Sequence, residues 1–596
     1  MALDLTATAG RIPTEEETQY VEDCMQEFRQ MTLWRNTLAS QLEEVAALIA
    51  PNQVNTFYYG SYNWPGMKKT QQQIDASGMM ALHRFGAICD SLLTPRNSFW
   101  HGLTSTDPDL RKDRASKVWF EQTTRDLFEL RYSPLGNFSS QNQQNYQGLG
   151  AFGTMGMFTD QAVDEQGNLV PFIRYKALPL GELFLRENHQ GLIDGFIRWF
   201  RLDARQAMIQ FGPENFPEAL RTAFDAKSQT KYNFLHRVVP NSKYEPGRLD
   251  ARGKRFMSHY VSIEGRVLCG RGGYNSFPLA GGRYEQAPGE VYGRSPAMMV
   301  LPALKTLNAQ KGTFLKQGHR ASDPVLLTAD DGLIDVSMRP GALNKGGVTM
   351  DGKILVHTLP TGNIAINEKM MDMERGLIND AFMVSLFQIL TDSPQMTATE
   401  VIERVNEKGI LINPTMGRQQ SEYIGTLIPR ELDLMRQMRL LKGMPPQLAQ
   451  AFKAAGMHGF RVEYTSPLSR AAKAADVAGL ARTLETTLQV VNATQDPSIL
   501  DVFSFDRAIP DIAEIQAVPI SWMATDQEIA QKRQQRAQAA EKQAQIQALP
   551  AQAAMMKAQA VQQKAGQGNA VAQARGAGAQ GQPFLPQQSQ QGAGPQ

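Results

Sequence analysis

Cysteine is nearly absent from this chain of 596 residues: Cys24, Cys89 and Cys269 are the only three, and they lie far apart. Without a CxxC pair there is no basis for a zinc ribbon or a dithiol redox motif. A sparse, odd count fits a reducing compartment. Long apolar runs are missing too. The longest candidate, Ala381 to Leu390, is too short to span a bilayer and contains Gln388. The opening MALDLTATAG lacks the basic-then-apolar pattern of a signal peptide, so a soluble protein that acts where it is made is expected, with no membrane partner. Neither sign of charge dominates, with 61 Lys and Arg against 59 Asp and Glu. That balance excludes a simple polycation that coats nucleic acid, because each neutralised phosphate adds salt-dependent affinity. It suits a surface along which DNA slides and equally suits most enzymes, so composition does not decide between them.

Catalytic signatures are also scarce. Gly347 to Lys353 has the GxxxxGK spacing of a phosphate-binding loop, but Ile354 stands where a magnesium-binding hydroxyl is required. Its flanks read as two strands, so a hairpin turning at Asp351-Gly352 is the better reading. Gly148 to Gly153 matches GxGxxG, yet the preceding NFSSQNQQNYQ is no hydrophobic strand. A turn that lets helices pack closely is expected there instead. Gly293-Arg294-Ser295-Pro296-Ala297 begins like a nucleophile elbow and fails at its last position. Ser295 before Pro296 reads as a helix start. The eight histidines show no metal-ligand spacing, and no cofactor is implied.

The pattern that is present is mostly helical. Val21, Cys24, Phe28, Met31, Leu38, Leu42, Val45 and Ile49 recur at helical spacing and predict an amphipathic helix over 15–50, ended by Pro51. Further helices are expected over 71–93 and 108–131. Residues 132–165 are polar and rich in Gly, Asn and Gln. From 167 to 285 short β-type runs dominate, interrupted by helical periodicity over 204–238. A helix from Ser295 to about Arg320 should be kinked by Pro302. Strand-like 322–366 follows, then a second helix over 368–390 with Leu377, Ile378, Ala381 and Phe382 on one face. An antiparallel helix pair with a β tip is the economical packing. Thr397 and Glu400 form a capping box for the next helix. That pattern runs to about Leu441, broken near Pro414 and Pro429, and another helix is expected over 469–491. From Asp526 the chain is Gln, Ala and Gly with scattered basic residues. A solvated helix is expected to Leu549 and disorder beyond Pro550. Along the helix after Ser295, Lys305, Asn308, Gly312, Lys316 and Arg320 make a polar, partly basic stripe. On a lone helix that is a solvated face. Repeated around a ring, it could guide phosphates without gripping them.

Several strings, in order, resemble one family. Gly289-Glu290-Val291-Tyr292-Gly293-Arg294-Ser295-Pro296-Ala297, continuing MMVLPALKTLN, is similar to the segment before the stem helix in the portal, or head-to-tail connecting, proteins of short-tailed bacteriophages. Leu92 to Pro95 with Trp100, Gly148 to Phe158, and Leu180 to Phe184 resemble other segments of that family. So do Thr397 to Val401 with Arg404, Leu411 to Arg418, and Ser466-Pro467-Leu468 with Arg470. The resemblance covers roughly residues 60 to 490.

It implies an α+β, predominantly helical wedge that assembles into a ring, typically of twelve subunits, at one capsid vertex. On that pattern residues 1–290 and 397–465 form a wing, and 291–321 and 368–390 form a stem helix pair. Residues 322–367 form a β-containing clip, 391–396 a tunnel loop, 466–525 a helical crown and 526–596 a tail. The implied function is non-enzymatic: a channel for packaging and ejecting double-stranded DNA without sequence specificity. Implied partners are terminase, then tail or adaptor proteins, with major capsid and scaffolding proteins around the ring. Channel-facing candidates are Lys305, Asn308, Lys316, Arg320 and Asp392. The tunnel-loop segment departs from a basic ring, carrying Asp392 and no cation. Two rivals stand beside this reading. One is an internal capsid or scaffolding-type protein, which needs no paired stem helices. The other is a DNA-remodelling NTPase, which needs Lys353 on a nucleotide.

Overall fold

The computed structural model describes residues 14–571, apart from 59–65, 68, 71, 165–167, 213–217, 249, 329–335, 361–363, 386–413, 442, 456–459, 465–478, 481, 492–501, 516–517 and 519–521. The fold is mixed α+β, mostly helical, with several antiparallel sheets. Residues 1–520 form one compact unit and 521–596 another.

The first helix, α1 (Glu15–Ile49), starts at a capping box. Thr14 accepts from the Glu17 N–H, and the Glu17 carboxylate accepts from the Thr14 N–H. Its apolar spacing is the one expected from sequence, with Leu38 half-buried and Arg35 completely buried on the same side. Next come α2 (Ser77–Leu93), β1 (His101–Ser105), α3 (Pro108–Lys112) and α4 (Arg114–Arg131). Asp113 separates α3 from α4 by capping the second helix through the Ser116 N–H.

The polar stretch after 132 contains a helix, α5 (Phe138–Phe152). Its asparagines are consumed by tertiary hydrogen bonds. Asn142 donates to Asp90 and Thr94, and Asn145 accepts from the Gly156 N–H. Gly150 lies against Phe85 and Leu82 of α2, where a Cβ would come within 2.6 Å of Phe85. The close helix packing expected of this glycine string is present, within a helix rather than a turn.

Eight strands follow. β2 (Thr154–Val163), β3 (Leu169–Ala177) and β9 (Leu279–Arg283) form a sheet ordered β3-β2-β9. β4 (Leu183–Glu187), β5 (Ile193–Asp203), β6 (Lys231–Pro240), β7 (Phe256–Ser262) and β8 (Val267–Tyr274) form a five-stranded antiparallel meander. Helical periodicity over 204–238 holds only for α6 (Ala204–Phe211) and α7 (Glu218–Asp225), since 231–240 is a central strand of that sheet.

Strand alternation divides the apolar residues of the meander between its two faces. Ile197, Trp199, Leu235 and Val261 meet Val21, Cys24 and Phe28 of α1. Phe200, Phe234 and Cys269 meet Ala207, Met208 and Phe211 of α6. The largest core joins the second half of α1 to α2, α4, α5 and the three-stranded sheet.

Near the end of the unit, a helix beginning at residue 414 passes through a π turn at Gln420–Ile424 into α11 (Gly425–Gln437). Pro429 sits inside α11 without breaking it, contrary to the sequence expectation. The Tyr464 hydroxyl donates to the Gln420 carbonyl at 2.6 Å, on the widened turn. Tyr464 itself ends β12 (Phe460–Tyr464), which pairs with β1. In the second unit a helix spans Asp526–Val571 and continues through Pro550, so the expected disorder beyond that proline is corrected up to Val571.

Candidate functional site

The helix–tip–helix segment is built on a crossing of two main chains. Gly153 ends α5 in the left-handed conformation, with φ +72°. A Cβ on Gly153 would lie 2.4 Å from the Gly293 carbonyl oxygen, and one on Gly293 would lie 2.2 Å from that of Gly153. Only glycine fits at either place. Hydrogen bonds secure the crossing: the Gly293 N–H donates to Thr154 Oγ1 at 2.8 Å, and the Tyr284 N–H donates to the Gly153 carbonyl at 2.9 Å. The buried Ser295 hydroxyl donates to the Ala151 carbonyl at 2.8 Å and accepts from the Met298 N–H at 3.0 Å. It is the helix cap expected from sequence.

The rest of the 289–296 string acts in the same sense. Gly289 takes a left-handed turn, φ +78°. Arg294 forks onto Glu290 and donates to Gln41 of α1 at 2.7 Å. Buried Tyr292 accepts from the Leu185 N–H. Burial raises its phenol above the ordinary value, with the Arg35 guanidinium opposing. Arg35 had no reading in the sequence. It donates to the carbonyls of Leu180, Gly181 and Phe57 at 2.7–3.0 Å. A lone arginine at an apolar position of α1 was the available signal. Arg283, also unread, joins Glu187 and Glu422 and so ties β9 to the π turn.

From this base rise α8 (Pro296–Met299) and α9 (Leu301–Ser322). The kink expected at Pro302 is a break at Val300. Pro302 falls in the first turn of α9, where its missing N–H costs nothing. Leu301, Leu304 and Leu307 are buried, each contributing roughly 2 kcal/mol. Beyond Leu307 α9 buries no side chain fully, although Asn308, Gly312 and Phe314 still touch the body.

The returning helix, α10 (Ile364–Ala381), begins earlier than the sequence suggested. It buries Met371 and Ile378, with Phe382 just beyond its end, whereas Leu377 is exposed. α9 and α10 are antiparallel. Gln317 meets Asn367, while further back Asn308 accepts from the Ile74 and Asp75 N–H groups and Asp75 accepts from Arg375. Burial opposes ionisation of Asp75, but hydrogen bonds from Ser77 and Arg375 hold its carboxyl below the ordinary value.

Between the helices, β10 (Leu326–Leu327) pairs with β11 (His357–Thr358). The Asp351-Gly352 hairpin closes with a Val348–Ile354 bridge and a bond from the Thr349 N–H to the Lys353 carbonyl. Lys353 therefore sits on a hairpin, without the strand-to-helix turn of a phosphate loop. None of the described residues between 323 and 360 is buried.

The sequence stripe divides in two. Lys305 pairs with Glu44 of α1 at 2.6 Å, and Asn308 also donates to the Gln72 carbonyl. Lys316 and Arg320 are exposed above the body. Asp392, Thr397, Glu400, Pro467 and Arg470 lie outside the described residues.

A family model described as bacteriophage head to tail connecting protein matches residues 21–523. The chain belongs to this family. Two curated relatives are similar along most of their length. The portal protein of Salmonella phage epsilon15 is 26% identical over 480 residues, covering 79% of this chain and 83% of the relative. A probable portal protein of Bordetella phage BPP-1 is 25% identical over 524 residues, covering 85% and 89%. As a head-to-tail connecting protein the chain is a structural, non-enzymatic component of the virion, placed at the capsid vertex. Among its described residues there is no group of three or more His, Cys, Asp and Glu that could hold a metal, and no helix long and apolar enough to cross a membrane.

Proposed function

We propose that copies of this chain close into a ring, typically of twelve, whose α9–α10 hairpins wall a channel for double-stranded DNA. The observation that carries this reading is the hairpin itself: two antiparallel helices riveted to the body by the 289–296 segment and projecting beyond it. A closed ring satisfies two complementary flanks on every subunit and leaves no open end.

Within that ring, residues 1–290 and 397–465 are the wing and 322–367 the clip. The clip docks terminase during packaging and tail or adaptor proteins afterwards. Residues 391–396, with Asp392, form the tunnel loop, 466–525 the crown and 526–596 the tail. Major capsid and scaffolding proteins meet the outside. Lys316 and Arg320 are the stripe cations with no ion-pair partner among the described residues, and a few repeated cations steer phosphates without holding them. Base readout plays no part, because a packaging channel accepts every sequence. Native mass spectrometry and image classes of the purified assembly test the proposal. A ring with a central hole wide enough for a duplex is expected. A particle with no pore, or with these helices on its outside, overturns it.

A further inference from the structure

On α10, Ile366, Met370, Met373 and Leu377 follow one another at spacings of four, three and four. Their exposures are 54%, 46%, 72% and 57%. At about 100° per residue each lies roughly 140–180° around the helix from Arg375. Arg375 faces Asp75, so the stripe occupies the side of the hairpin turned away from the 72–75 loop. Four large apolar side chains in a row, uncovered, mark a contact surface.

The opposite side of the same hairpin carries a smaller apolar patch. Ile74, beside Gly312, is 47% exposed and Leu315 is 44% exposed. The antiparallel register sets their height. Gln317 is level with Asn367, and Asn308 and Arg375 share Asp75. Leu315 and Gly312 therefore stand at the height of Met370 and Met373. A rotation about a ring axis leaves height along that axis unchanged. Two patches on opposite sides of one hairpin, at one height, are what a head-to-tail contact between neighbouring copies requires. Arg320 lies toward the stripe side and Glu368 lies on the Arg375 side, where Asp372 is already paired with Arg375.

We infer that the α10 stripe is the seat of the next copy, receiving its Ile74 and Leu315. This rests on the ring reading above and deepens it. The hairpin's two broad sides are subunit seams, and the pore is left to its edge, where Lys316 stands. Arg320, about 40° around α9 from Lys316, stands where that edge meets the seam.

The test is a cysteine pair, Met370→Cys with Leu315→Cys, in the full chain. Within one chain the two positions face opposite ways and cannot bridge. The native cysteines are buried. Oxidation should give a ladder of covalent multimers on a non-reducing gel, and neither single variant should. Met373→Glu should abolish the assembly in native mass spectrometry and leave the monomer's unfolding midpoint unchanged, while Met373→Leu assembles. A ring seen in images whose double variant stays monomeric on the gel, or which tolerates Met373→Glu, overturns the seam and leaves the ring standing. Absence of any ring from the wild-type chain removes the ring reading itself.

Discussion

The body and the tip of this molecule are stabilised in different ways. Among its described residues the body has three apolar clusters and ion pairs of buried arginines whose partners come from distant parts of the chain. Arg131 donates to Glu431 at 2.8 Å, both side chains fully buried, and the Tyr175 hydroxyl donates to the same carboxylate at 2.6 Å. Arg430 reaches Asp160 and the Thr159 carbonyl. The tip between α9 and α10 has two strands of two residues each and no buried side chain among those described. Leu343 and Met350 are almost entirely in water. A subunit can therefore hold its body alone, whereas the tip has too little covered apolar surface to offset the entropy of ordering it. The lesson is one of timing: body stability belongs to the single chain, and tip stability belongs to whatever the tip meets.

The sharpest break in that contrast is Glu431→Ala. It leaves Arg131 charged and buried with no carboxylate, which costs about 3–5 kcal/mol. Urea unfolding of the monomer should show that loss. A change under about 1 kcal/mol would mean that water reaches the pair and that the body is looser than described.

A smaller effect comes from acid. His259 is buried where its Nδ1 meets the Tyr20 hydroxyl at 2.9 Å, and burial, with Arg271 and Arg237 nearby, lowers its pKa to about 4. Above about pH 6.5 the ring is neutral in both folded and unfolded chains and contributes nothing to pH dependence. Below that, the unfolded chain takes up a proton that the folded one refuses, so stability falls as pH drops toward 4 and levels off beneath it. His101 and His236, buried and lowered in the same way, act in the same direction. His259→Gln should flatten part of the slope of stability against pH between 6.5 and 4. An unchanged slope would assign the acid response to other groups.

The smallest effect is expected at the tip. Met350→Ser should move monomer stability by less than about 0.5 kcal/mol. A cooperative loss of stability from this substitution would show that the tip has a core after all.

How far the sequence could be read follows the same division. α1 was legible because its apolar residues keep one spacing for 35 residues, and the Asp351-Gly352 turn because its chemistry is local. The start of the hairpin was legible from Ser295 and Pro296. By contrast, α5 was hidden because Asn142 and Asn145 look like loop residues until their partners on α2 and β2 are known. β6 reads as part of a helix because both of its faces are buried and it lacks simple alternation. Pro429 and Pro550 read as breaks, yet helices pass through both. In the candidate site, Lys305 and Asn308 share a helical spacing with Lys316 and Arg320. Only Glu44 and the 72–75 loop, remote in sequence, separate the engaged pair from the exposed one.

At the Gly153–Gly293 crossing nothing soft separates the two backbones. A push or pull at the far end of the hairpin reaches α5 through peptide planes rather than through rotamers that could yield. The junction is mechanically stiff for the same reason that it tolerates no side chain, so any motion of the hairpin should be a bend further out, beyond the contacts of Asn308, Gly312 and Phe314 with the body.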